Sequence, residues 1–161
     1  MTAEARLAKR LAELGISMPP APEPKGVYQP VVVVGNWAYA SGHLPVGPSG
    51  KPVTGRVGAE LDVAAGYAAA RLAGLGILAS LRKRFGSLDP VRRVVKVLGV
   101  VVGTEGFTQH PAVVNGCSEL FAEVFGPDVG VGARSAIGAA SLPLGVPVEI
   151  EAIFEIEDAA S

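Results

Sequence analysis

The chain has 161 residues, nearly half of them hydrophobic and fewer than a fifth charged, which is apolar material for one core in a single globular domain. Fourteen basic against fifteen acidic side chains give a formal net charge of −1, so no broad basic field exists to recruit nucleic acid or an anionic membrane surface. The one cysteine, Cys117, excludes an internal disulfide framework and a cysteine-rich metal site; with no apolar signal-peptide core at the N-terminus, the expected location is cytoplasmic.

In chain order, residues 2–14 carry Leu7, Leu11 and Leu14 at helical spacing, and Gly15 is placed to end that helix. The segment MPPAPEPKG, 18–26, holds four prolines and is expected to cross the surface as an extended connector. VVVVGNWAYASG, 31–42, reads as two strands about a tight turn at Gly35-Asn36. After a Gly/Pro-rich loop at 47–55, residues 60–84 form a long helix with Leu61, Ala65, Ala68, Leu72, Leu75 and Ala79 on one stripe. Gly66, Gly74 and Gly76 weaken that helix unless it lies close against a sheet. VRRVVKVLGVVVG, 91–103, is a β-branched strand, and a second helix between Thr108 and Phe125 aligns Val114, Cys117, Leu120, Phe121 and Val124, with Pro111 in its first turn and Gly126 at its cap. No apolar run reaches the ~20 residues of a bilayer span without an interrupting Gly, Arg or Pro.

The stretch from Gly132 to Ile156 reads as a buried hairpin with Arg134 at its mouth. In its last strand Val148, Ile150, Ala152, Phe154 and Ile156 alternate with Glu149, Glu151, Ile153, Glu155 and Glu157, so one face is apolar and the other largely acidic. The order β-β-α-β-α-β-β describes an α+β sandwich: a mostly antiparallel sheet with both long helices on one face. Its opposite face includes apolar members of the valine-rich strands and calls for a cover, most economically another copy of the chain.

Several apparent motifs fail on chemistry. GPSGKP, 47–52, lacks a phosphate loop's first glycine and its hydroxyl residue, because Pro45 and Pro52 stand at those points. Gly74-Leu75-Gly76 lies inside a helical stripe rather than after a strand, which makes it helix packing. His43 and His110, the only histidines, have no partner ligand at metal-binding spacing and read as loop or helix-start residues; Cys117 reads as a small buried hydrophobe. Neither a metal nor a cofactor is expected.

Gly26-Val27-Tyr28, Tyr39-Ala40-Ser41-Gly42-His43-Leu44-Pro45, Asn115, Ala133-Arg134-Ser135, Leu142-Pro143 and Val148-Glu149-Ile150-Glu151-Ala152 together resemble the Rid family, the reactive intermediate deaminases also called the YjgF or endoribonuclease L-PSP family, in a longer branch. The resemblance spans about 26–156, preceded by a helix and proline connector at 1–25 and followed by a tail at 157–161. It implies a chorismate-mutase-like fold, a homotrimer whose sheets form a central barrel, ligand clefts between subunits, and hydrolysis of 2-imino or enamine acids to 2-keto acids and ammonia. Arg134 would anchor the substrate carboxylate, since a guanidinium grips a carboxylate with two parallel hydrogen bonds. Glu149 would orient the attacking water and accept its proton. Gly42 would offer backbone groups at close approach, and Tyr28 would wall the cleft from a neighbouring subunit. Asn115 either hydrogen-bonds near the ligand or solvates its helix; Arg134 and Glu149, taken alone, also suit an exposed strand start and a solvated strand face. Many family members carry a cysteine two residues after the arginine, where this chain has Ala136, so chemistry through that thiol is absent. The rival on the same scaffold is a non-catalytic small-carboxylate-binding or regulatory trimer. Ribonuclease activity finds no basic stripe and no row of stacking aromatics.

Overall fold

The structure is a computed structural model that describes residues 1–157; within the expected tail, 158–161 lie outside the described residues. The first helix, α1 (Ala3–Leu14), is capped by the Thr2 hydroxyl accepting from the Ala5 N–H and ends at Gly15 in the left-handed region, φ 63°. The strands β1 (Val31–Val34) and β2 (Trp37–His43) make the expected antiparallel hairpin. Helix α2 (Val63–Phe85) follows, capped by Asp62, then β3 (Val91–Val101), α3 (His110–Phe125), a helical turn α4 (Pro127–Gly130), β4 (Ala133–Gly138) and β5 (Val148–Ile156). Together the strands form one five-stranded sheet in the order β1-β2-β5-β3-β4.

Both long helices cover one face of that sheet. Val148, Ile150, Ala152, Phe154 and Ile156 are buried beneath them, and Phe121 of α3 meets Phe154 edge-on with ring centroids 5.6 Å apart. The expected α3 stripe is buried throughout. The opposite face is open: Val32, Val34, Trp37, Tyr39 and Ile137 are exposed there, and Lys96 and Glu151 sit among Leu98 and Ile153. Helix α1 docks on the end of α3, where Arg6 donates from Nε to the Val124 carbonyl at 2.6 Å and from Nη2 to that of Phe125 at 3.0 Å, satisfying two carbonyls left free at the α3 C-terminus.

The structure corrects four expectations. Arg134 does not open a buried hairpin: β3 lies between β4 and β5, and β4 runs parallel to β3 as an exposed edge strand. The cause is the crossover through α3, which returns the chain to the same end of the sheet and so imposes parallel pairing. The stripe expected on α2 is also displaced, since Ala68 is exposed while every residue from Ala73 to Leu81 is buried. That helix is enclosed on several sides, and a helix apolar all round has no single stripe to read. By length and composition α2 would even suffice to cross a bilayer, yet it is the core helix of this domain. Of its glycines, Gly76 faces His43 of the sheet, but Gly74 faces Cys117 and Leu120 of α3, and Gly66 faces Val113 and Val57. Finally, His43 is not a loop residue; it is buried in β2.

Candidate functional site

The residues singled out from the sequence gather in two places. At the β4 edge, Arg134 extends over α3, where Nη1 donates to Asn115 Oδ1 at 2.7 Å and to Ser118 Oγ at 3.2 Å. Asn115 and Ser118 are three apart on the helix and so present their oxygens side by side. Ser118 was not among the expected site residues; its spacing from Asn115 was the available signal. No carboxylate pairs with Arg134 among the described residues, and Nε and Nη2 have no hydrogen-bond partner among them. The guanidinium is therefore exposed, oriented by two neutral oxygens, with one donor edge free. Cys117 lies beneath it, fully buried, and burial pushes its thiol far up against the smaller downward pull of Arg134 and Arg71. That environment suits a packed hydrophobe rather than a nucleophile.

The second place lies at the far end of β2. Pairing between β2 and β5 slips between Ala40 and His43, so Ser41 and Gly42 form a bulge. Gly42 rests directly on the carboxylate of Glu149: a Cβ there would stand 2.0 Å from Oε1, so any larger residue would displace the Glu149 side chain. Glu149 is half-buried, and burial first and the Glu151 charge second raise its carboxyl above the usual range. His43 closes the bulge, with Nδ1 2.6 Å from the Ser41 carbonyl and Nε2 2.8 Å from Ser80 Oγ on α2. A carbonyl can only accept, so Nδ1 carries the proton and Nε2 accepts from the serine. Burial lowers the pKa of this ring against the opposing Ser41 hydrogen bond, favouring the neutral form.

Gly42, His43, Glu149 and Tyr28 line one cavity of about 940 Å3, roofed in part by the proline connector. Lys83 of α2 pairs with Glu23 and tethers that connector. Tyr28 shares that cavity with Gly42 and Glu149 of its own chain, and Arg134 and Asn115 stand apart from it. Arg134 points toward α3 on the helix-covered side, whereas Glu149 alternates with buried Val148 and Ile150 and so lies on the other side, with β3 between their strands.

Comparison with known proteins places the chain in a family. A family model described as "YjgF/chorismate_mutase-like, putative endoribonuclease" matches residues 8–150. Protein TCP17 of Trypanosoma cruzi is 40% identical over 98% of this chain and 99% of its own length. A 2-iminobutanoate/2-iminopropanoate deaminase of Dermatophagoides farinae is 32% identical over 88% of this chain and 95% of its own. Among solved structures, a protein of unknown function from Agrobacterium tumefaciens superimposes with a TM-score of 0.86 at 41% identity, covering 96% of this chain and 94% of that one.

Proposed function

This chain belongs to the YjgF/chorismate-mutase-like family, and we propose that within it the protein hydrolyses 2-imino or enamine acids to the 2-keto acid and ammonia. The observation that carries this reading is the state of Arg134: a guanidinium fixed by Asn115 and Ser118, uncompensated by any described carboxylate, offering the parallel N–H pair of Nε and Nη2. Such an edge matches a small carboxylate in geometry and charge.

The chemistry then needs a base near the imine carbon. Glu149, its carboxyl pKa raised by burial first and the Glu151 charge second, holds a proton more tightly once it has taken one than an exposed carboxylate does. Ionised, it takes a proton from water as the oxygen attacks the imine carbon and the C=N π electrons move to nitrogen. Glu149 returns that proton to the nitrogen to give the carbinolamine, then relays the hydroxyl proton to the same nitrogen, which leaves as ammonia as the C–N bond breaks and the C–O bond becomes C=O. Backbone groups at Gly42, pressed against Glu149, face the same space.

Because one chain holds Arg134 and Glu149 on opposite sides of its sheet, the reading requires a second copy. A homotrimer built through the open face, with Arg134 and Asn115 of one subunit completing the Tyr28–Gly42–Glu149 cavity of the next, satisfies that requirement. The exposed Val32, Val34, Trp37, Tyr39 and Ile137 on that face support it. The test is ammonia release from an imino acid generated in place by an amino-acid oxidase, with wild type and Arg134→Ala. Acceleration over buffer that disappears in the variant upholds the reading; keto-acid binding without acceleration in wild type assigns the scaffold to carboxylate binding instead.

A further inference from the structure

The cavity beside Glu149 is far larger than the smallest 2-imino acids, and its polarity is uneven. Its volume of about 940 Å3 stands near the top of the roughly 300–1,000 Å3 range of pockets that enclose drug-sized ligands. Polar groups suited to a reacting centre converge at Ser41, Gly42 and Glu149. Leu44 and Val46 just beyond the bulge, Pro143 and Leu144 on the turn before β5, and prolines of the connector give the cavity apolar lining, while Glu23 and Lys25 of the connector line it as well.

Leu144 adds an independent observation. It is the one non-glycine residue with positive φ among the described residues, at φ 58° and ψ 12°, and 60% of its surface is exposed. A branched L side chain is disfavoured in that region, where glycine sits without strain. The fold gains little packing from a side chain so exposed, yet its backbone is held where the leucine faces the cavity. Such backbone strain persists only where the surrounding structure holds it, and here it stands at a cavity wall.

Resting on the hydrolysis proposed above, we infer that this apolar space receives the substrate's side chain, and that the preferred substrates are 2-imino acids with branched aliphatic or aromatic side chains rather than methyl or ethyl. The imino carbon lies by Glu149 and Gly42, and the side chain extends between the Leu44–Val46 lining and the Pro143–Leu144 turn. Each methylene carried out of water contributes about fourfold to kcat/KM. The imine derived from leucine, three carbons larger than that from alanine, is therefore favoured by roughly 60-fold.

The experiment measures kcat/KM for imines generated in place from alanine, leucine and phenylalanine, using wild type, Leu144→Gly and Leu44→Ala. Expected are a leucine or phenylalanine preference in wild type and a loss of about fourfold or more of it in each variant. Leu144→Gly should also melt no lower than wild type and keep the same assembly mass. Equal kcat/KM across the three imines, or an intact preference in both variants, overturns the inference. A fall in assembly mass for Leu144→Gly does so too, because Leu144 would then be covered by a second copy. If no imine is hydrolysed faster than in buffer, the hydrolysis itself fails, and the apolar subsite is judged by calorimetry: tenfold tighter binding of the keto acid of leucine than of pyruvate sustains it, and equal affinity removes it.

Discussion

Replacing Arg134 with lysine separates charge from shape. Nη1 is already engaged by Asn115 and Ser118, so a carboxylate must be gripped by the Nε–H and a parallel Nη2–H. Lysine keeps the positive charge but is a compact point donor with no planar edge, and its ammonium would turn toward those same two oxygens. Removing one oriented donor from a desolvated site takes away about 2–4 kcal/mol of transition-state stabilisation, or roughly 30- to 1,000-fold in kcat/KM. The fold should be untouched, because Arg134 is exposed on an edge strand and contributes no buried surface to the core. The assay is initial ammonia release from an imine generated by an amino-acid oxidase, beside a melting curve. An Arg134→Lys protein that melts normally and works at the wild-type rate would refute bidentate anchoring.

Glu149→Gln should lower turnover by about 10²- to 10⁴-fold, the usual contribution of a positioned base, and remove the acid limb of the pH–rate profile. Its effect on stability has the opposite sign: burial raises the folded carboxyl's pKa, so its ionisation opposes folding as pH rises. The glutamine variant should thus melt at or above wild type near pH 8, with the difference fading near pH 4, as thermal scans at both pH values would show. Cys117→Ala should keep full activity and lose about 1 kcal/mol of stability through packing, while the wild-type thiol, fully buried and strongly raised, should resist thiol reagents until the protein unfolds.

What was legible in the sequence follows from how locally each feature is determined. The β5 alternation and the α3 stripe are periodic patterns with one buried side, and they sit where the pattern put them. The neighbour of β4 was not legible, because an apolar strand states that it pairs and not with which strand; the α3 crossover decides that. On α2, enclosure erased the stripe. The burial of His43 depends on Ser80, thirty-seven positions away on another element, and no local pattern around a histidine reveals such a partner. At the candidate site the residue types were visible, but the division of labour was not. Whether Arg134 and Glu149 share a side depends on strand order and register, which place one over α3 and the other on the open face.

That division permits a test by complementation. If each cleft takes Arg134 from one subunit and Glu149 from its neighbour, an Arg134→Ala chain still carries a sound Glu149, and a Glu149→Gln chain a sound Arg134. Neither homotrimer works, since every cleft lacks one group. In a cyclic trimer with head-to-tail contacts, however, any mixture of the two chains has one boundary that joins the intact arginine to the intact glutamate. Three-quarters of randomly assembled trimers are mixed and each has one restored cleft in three, so equal co-expression should return about a quarter of wild-type activity. Light scattering on the same sample should give the mass of three chains. Activity restored toward that fraction requires a shared cleft; activity no greater than either variant alone, in a mixture proven to contain hybrid trimers, would mean that both groups act within one chain or that one of them does not act.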